Sequence, residues 1–176
     1  MAVTYQRFRR EDAAELVAFL LSSDWPFHAG ERPSEAAILR RVADGHYDGA
    51  SIETFLLRDG ERLVGVLRVW DLADDTPMFD LRLRDSARGH GIGTAAVRWL
   101  ADHVFGTYPH CSRIEATTRQ DNVAMRRVLE RCGFVKEAHY RKAWPGAGSI
   151  VHDTVGYAVL RHDWTTGRTT PVDWDR

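Results

Sequence analysis

The sequence predicts an α/β (α+β) fold: one domain on a central, mixed, mostly antiparallel twisted sheet of about seven strands, flanked by about four helices. Three observations predict it. Apolar residues recur with strand and helix spacing in the order β-α-α-β-β-β-α-β-α-β-β. Asp59-Gly60, a hairpin signal, joins two apolar runs. A glycine cluster in RDSARGHGIGTAA, Arg84 to Ala96, stands where an apolar strand passes straight into a helix. The length of 176 residues suits one domain, read as residues 1–165 with a polar tail at 166–176.

Taken in order, Thr4–Phe8 reads as the first strand. Arg10-Glu11-Asp12 opens a helix with Ala13, Leu16, Val17, Leu20 and Leu21 on one face. Ser22–Pro33 is a loop by its Pro, Gly and Ser content, yet it carries Trp25, Phe27 and His28. Ser34 caps a second helix with Ala37, Ile38 and Val42 in line. Ser51–Leu57 and Arg62–Leu72 form a strand pair, and Met78–Leu83 leads into the glycines. Ile92–Phe105 is a helix, Arg113–Thr118 a strand, and Asn122–Cys132 a helix that stops at Gly133. Phe134 onward and Thr154–Leu160 close the sheet.

A formal net charge of -1 gives no whole-protein case for nucleic acid or for an anionic membrane. No apolar run approaches the roughly 20 residues of a membrane span, and the N-terminal residues hold no apolar leader core. Cys111 and Cys132 have no metal-type spacing and read as small core residues. The expectation is a cytoplasmic protein with no metal.

Glycine loses more freedom on folding than any other residue, so Gly89, Gly91 and Gly93 need a reason. Alternate glycines let backbone N–H groups point one way without a Cβ in front of them, and such a concavity binds anions. At a helix start it adds unsatisfied N–H groups and the positive dipole end. Arg88 contributes a permanent charge and His90 a donor. No Gly-Lys-Ser/Thr follows, so this is not a P-loop, and the spacing is G-x-G-x-G rather than G-x-G-x-x-G. A turn that uses glycine only for packing stays open beside the anion cradle.

Arg88-Gly-His-Gly-Ile-Gly93-Thr94 resembles the R/Q-x-x-G-x-G/A signature of the GNAT superfamily of acyl-CoA-dependent N-acetyltransferases. Asn122 followed eleven residues on by Gly133-Phe134 resembles that family's second conserved segment. The likeness covers residues 4 to 164. It is greatest toward ribosomal-protein alanine acetyltransferases and some antibiotic acetyltransferases. It implies acetyl-CoA as co-substrate, with its pyrophosphate held by Arg88, Gly89, His90, Gly91, Ile92, Gly93 and Thr94. It implies a Leu83 backbone N–H aimed at the thioester carbonyl. It further implies a sheet that splays between the fourth and fifth strands, with the pantetheine arm along Asn122 and with Met125 and Arg126 near it. An amine then attacks the acetyl carbon directly in a ternary complex.

The sequence departs from the family at two proton donors. Leu129 stands where many members carry a tyrosine, and Met125 where the ribosomal-protein branch often has serine. Asp80 and Glu115, on strands beside the splay, are candidate bases, with an ion-paired strand residue the favoured alternative for each. A lysine amine of pKa ~10.4 costs about 4.6 kcal/mol to neutralise at pH 7, whereas an α-amine near ~8 costs about 1.4 kcal/mol. The acceptor reading is therefore a peptide N-terminus or a small-molecule amine. Trp25, Phe27, His28 and Trp144, the last in the loop Trp144–Gly148, are the candidate acceptor-binding residues, and for the first three an anchor of the loop onto the core is the alternative. A non-catalytic acyl-CoA-binding or protein-interaction domain is the alternative, motivated by the missing donors. Trp174 in the tail suggests a homodimer contact. Nucleic acid and membrane are not expected partners.

Overall fold

Strand β1 (Val3–Arg7) pairs antiparallel with β2 (Glu53–Asp59), which turns at Asp59-Gly60 into β3 (Arg62–Trp70). Gly60 takes a φ of 61°, the left-handed conformation such a tight turn asks for. The structure is a computed structural model that describes residues 3–28, 33–146 and 150–174. β4 (Met78–Leu83) follows antiparallel to β3, and β5 (Arg113–Arg119) lies parallel to β4. β6 (Val135–Pro145) and β7 (Val151–Leu160) complete a seven-stranded mixed sheet in the order β1-β2-β3-β4-β5-β7-β6.

The sheet is covered on both faces, which is why β2 and β3 read as nearly continuous apolar runs rather than alternating ones. On one face, α1 (Ala13–Leu20) and α2 (Glu35–Ala43) bury Leu16, Phe19 and Ile38 against Leu56 and Val66. On the other, α3 (Ile92–Thr107) and α4 (Val123–Arg131) bury Leu100 and Leu129 against Leu57, Leu67 and Ile114. The Ser34 hydroxyl caps α2 by accepting from the Ala37 N–H at 3.2 Å, as the sequence suggests. Both cysteines are buried.

A fifth helix, α5 (Arg161–Thr166), was not expected from the sequence. Its short polar run, RHDWTT, has no apolar periodicity, and tertiary contacts hold it. The Arg161 guanidinium donates to the carbonyls of Phe105, Tyr108 and Cys111 at 2.7, 2.5 and 2.6 Å, tying α5 to the end of α3 and the turn that follows it. Buried Asp163 accepts from the N–H and hydroxyl of Thr170 at 2.9 and 2.7 Å. The first part of the predicted tail is thus attached to the domain. Trp174 is exposed.

The feature that positions the site is a fork. β4 and β5 share a single register pair, Met78 with Glu115, reinforced by the Glu115 N–H to the Pro77 carbonyl at 3.0 Å. Beyond it the two parallel strands part, and the gap widens toward Leu83 on one arm and Thr118 on the other. The predicted splay between the fourth and fifth strands is present.

Candidate functional site

A cleft of about 410 Å³ passes through the fork. Side-chain alternation along the arms divides it. Phe79, Leu81 and Leu83 of β4 and Ala116 of β5 belong to the α3–α4 face, where they join that core. Asp80 and Arg82 of β4, Arg84 just after it, and Arg119 of β5 meet residues of the α1–α2 segment on the opposite face.

On the α3 side the glycine turn forms the wall. Gly89 and Gly91 have φ of 78° and 83°, which only glycine adopts without strain, and a Cβ on either would point into open space. Gly93 has a different reason. It lies inside the helix, and its missing side chain admits Val128 of α4, 3.4 Å from where a Cβ would stand. Gly91 is the N-cap of the 16-residue α3 and offers no side-chain cap. The Ala95 N–H is the first bonded within the helix, to the Gly91 carbonyl at 3.0 Å, so the N–H groups of Ile92, Gly93 and Thr94 lack helical partners. With no acidic residue in the first turn to neutralise the dipole, this end suits an anion.

Leu83 supplies a different donor. The neighbouring Arg84 N–H donates to the Val64 carbonyl at 2.9 Å. In an antiparallel ladder the N–H groups alternate sides, so the Leu83 N–H turns away from β3 into the fork, where the ladder with β5 has already ended. Arg88 folds back over this bend, donating to the Leu83 carbonyl at 3.1 Å and pairing with Asp85 at 2.8 Å. Arg127 and Arg131 of α4 also line the cleft.

The remaining coenzyme-side candidates divide. Asn122 lines the cleft and caps α4, accepting from the Met125 N–H at 3.2 Å and donating to Thr118 Oγ1 at 3.0 Å. Met125 lines the cleft and packs on the core as well. Arg126 does not line it: its guanidinium donates to Tyr157 Oη at 3.2 Å and to the Gln120 carbonyl at 2.9 Å, and the cleft-facing arginine is the next one, Arg127. Ile92 buries its side chain in the core and brings only its N–H to the turn. His90 is exposed and is not among the lining residues.

On the opposite face three candidates take the structural one of the two roles open to them. Trp25 is a core residue: it is buried, and its indole N–H donates to the Leu20 carbonyl at 2.8 Å. Glu115 sits in the closed root of the fork, paired with Arg113 at 2.9 Å, and does not line the cleft. Asp80 does line it, but both oxygens are engaged, Oδ1 with His28 Nε2 at 2.8 Å and Oδ2 with Arg82 Nε at 3.0 Å. Burial alone would raise the Asp80 carboxyl. The charge and hydrogen bond of His28, then those of Arg82, outweigh it and hold the group well below the usual carboxylate range. Phe27, His28 and Trp144 do line the cleft. Ala147 and Gly148 of the Trp144 loop, and Glu31 of the first loop, lie outside the described residues.

Arginines hold this face, and the role of Arg119 was not expected from the sequence. Arg119 of β5 donates to the Pro26 carbonyl at 2.9 Å and lies over the Phe27 ring at 5.1 Å. Arg82 lies over the Trp25 ring at 5.7 Å, and Arg84 donates to Ser22 Oγ at 3.0 Å. Alternation of arginine along MFDLRLR was the one available signal. A second cavity, about 370 Å³, lies beside α5 and is lined by Arg98, Arg131, Arg168, Asp163 and Trp164. Among the described residues no group of His, Cys, Asp and Glu could hold a metal, and no helix is long and apolar enough to cross a membrane.

Residues 3–135 match the family model of an acetyltransferase (GNAT) domain. The chain belongs to the GNAT acetyltransferase family. Its fold is that of solved GNAT structures. A spermidine N-acetyltransferase from Vibrio cholerae in complex with CoA and spermine matches with a TM-score of 0.81 at 16% identity, over 93% of this chain and 98% of that one. RimL, a ribosomal L7/L12 alpha-N-protein acetyltransferase in complex with coenzyme A, gives 0.79 at 18% identity, over 91% and 94%. A probable acetyltransferase gives 0.74 at 21%, over 92% and 94%. No curated protein sequence matches the chain. The GNAT match ends at the α4–β6 junction, so it contains both arms of the fork, the glycine turn and the α1–α2 segment.

Proposed function

We propose that this chain is an N-acetyltransferase that moves the acetyl group of acetyl-CoA to a primary amine, on a peptide N-terminus or a small molecule, by direct attack in a ternary complex. The observation that carries the reading is the fork: a Leu83 N–H without a ladder partner faces the same gap as the glycine turn and the start of α3. The residues fit the coenzyme. Gly89 and Gly91 leave the room a diphosphate needs, the α3 amides supply donors, and Arg88 supplies charge. Two of the matched structures hold coenzyme A, which agrees with this use of the fold.

Acyl transfer builds negative charge on the thioester oxygen. A fixed donor at that oxygen, the role given to Leu83 N–H, is worth about 2.7–4 kcal/mol by analogy with other oxyanion holes. Asn122 and Met125 line the path between the turn and the reacting carbonyl, while Arg127 and Arg131 offer charge further along α4. On the far side the amine reaches the carbonyl past Phe27, His28 and Trp144. Asp80 orients His28 there rather than removing the amine proton. With the one carboxylate among the described lining residues already paired on both oxygens, an amine that is neutral near pH 7 is the easier acceptor. Leu129 is fully buried in the core, so the position where many relatives carry an acid offers none, and the thiolate takes its proton from solvent.

The test is thiol release from acetyl-CoA over a panel of amines, with coenzyme binding followed by calorimetry. Release with at least one amine is expected. Tight coenzyme binding without release on any amine would support the non-catalytic reading that Leu129 motivates. As to assembly, one matched spermidine N-acetyltransferase structure is dodecameric. For this chain we infer self-association through the tail around Trp174, to be measured by sedimentation.

A further inference from the structure

The acceptor face of the fork carries a charge pattern that narrows the class of amine. Among the described residues Asp80 is the sole carboxylate lining the cleft, and it is already matched by His28 and Arg82. The nearest acidic group on the β5 arm, Asp121, accepts from Arg119 with both oxygens, at 2.9 and 2.5 Å. Neither arm presents an unmatched negative charge to an arriving cation. What the face does present is aromatic surface, Phe27 and Trp144, with Pro26 beside them.

The Phe27 part of that surface is held within the fold itself. Phe27 and His28 are neighbours in sequence, yet they are tied to opposite arms. Phe27 lies under Arg119 of β5, and His28 is held by Asp80 of β4. The segment therefore bridges the fork, and the bridge sets the position of the aromatic wall. A ligand that packs on a preformed wall loses little free energy to ordering it.

We propose that the acceptor is an amine bearing a single positive charge on an apolar, aromatic-sized body, seated against Phe27 and Trp144, and that polyamines are rejected. The inference rests on the acetyltransferase reading. One ammonium, or its neutral amine, is compatible with ring faces. The further charges of a polyamine would have to leave water for a face whose one carboxylate among the described lining residues, Asp80, is already paired, which is unfavourable unless each finds a partner. Arg119 is in this scheme a positioning residue, because it acts through Phe27.

The experiment uses the full chain with acetyl-CoA and four acceptors: 2-phenylethylamine, phenylalanyl-glycinamide, spermidine and an N-terminally blocked lysine peptide. The expected kcat/KM for the better of the first two exceeds that for spermidine by about 100-fold, the scale set by unpaired charge against aromatic contact. Phe27→Ala and Trp144→Ala should each reduce that preference by roughly tenfold, as expected for loss of an aromatic wall. Coenzyme affinity should remain within about twofold, since neither residue belongs to the anion site. Spermidine turned over as well as the aromatic amines, or a preference untouched by both variants, would overturn the acceptor class and leave acetyl transfer standing. Coenzyme binding with no thiol release on any of the four would overturn the transfer reading, and the acceptor class with it.

Discussion

On the α3 side of the fork the ligand-facing groups are main-chain amides, presented by a turn whose φ values at Gly89 and Gly91 admit only glycine comfortably. On the α1–α2 side they are side chains, Phe27, His28, Asp80 and Trp144, held by contacts between residues far apart in sequence. The first half depends on local backbone conformation. The second depends on pairs such as Arg119 with Pro26 and Arg84 with Ser22, which close only when the sheet has formed. Substitutions should therefore behave differently in the two halves: steep and confined to the coenzyme in one, graded and confined to the acceptor in the other.

The largest effect is expected at Gly91. Gly91→Val forces a β-branched residue into φ near 83°, at a cost of about 1–3 kcal/mol, and displaces the first amides of α3. Coenzyme affinity should fall by roughly 100-fold, about 2.7 kcal/mol. Gly60→Val is the control: its φ of 61° brings similar strain in the β2–β3 turn, far from the cleft, and calorimetry should show unchanged coenzyme affinity.

Arg119→Ala should act on the other half alone. Loss of the contacts to Pro26 and Phe27 is expected to raise the acceptor KM about tenfold with little change in kcat, the pattern of lost ground-state binding. Steady-state kinetics with saturating acetyl-CoA reads this directly. Asp80→Asn should be milder, about fivefold in kcat/KM, because His28 keeps a hydrogen-bonding neighbour. A proton acceptor at Asp80 would instead show a loss of about 100-fold or more, the range typical of general bases.

A fourth perturbation belongs to neither half and should leave both ligand constants alone. Glu53 of β2 is held by His103, Tyr108 and Arg7. Burial pushes its carboxyl up, but these partners outweigh it and bring it down to about 2. Its folded pKa lies below the ordinary 4.5, so its stabilisation is present above that pH and is lost as pH falls through about 2. The gap corresponds to about 3 kcal/mol. Glu53→Gln should lower Tm at pH 7 by roughly 6–12 °C for a chain of this length and flatten the acid limb of the stability curve. Thermal melts from pH 7 to pH 2 check the sign.

The same contrast explains what could be read from the sequence. The glycine turn, the fork and the Asn122 cap were legible because each is a local device: a residue type whose backbone or side chain acts within a few positions. Trp25 was open between ligand contact and core anchor because a bulky aromatic in a loop suits both, and only the fold shows its indole bonded to the Leu20 carbonyl. Arg126 and Arg127 could not be told apart because the helix phase at a cap decides which one faces the cleft. Glu115 was placed at the fork correctly but at its closed root, a distinction that only the register with Met78 makes. The Asp80–His28 and Arg119–Phe27 contacts span 52 and 92 positions and leave no pattern in the sequence. Helix α5 was missed because its stability comes from Arg161 and Asp163 contacts rather than from an apolar face.

A crystal structure of the chain grown with coenzyme A tests the central claim most directly. The account predicts the diphosphate against the first amides of α3, with N–H to oxygen distances of about 3 Å, and the thiol end inside the fork beside the Leu83 N–H. Density for the coenzyme in the Arg98–Arg131–Arg168 cavity instead, with the fork closed between Leu83 and Thr118, would contradict it.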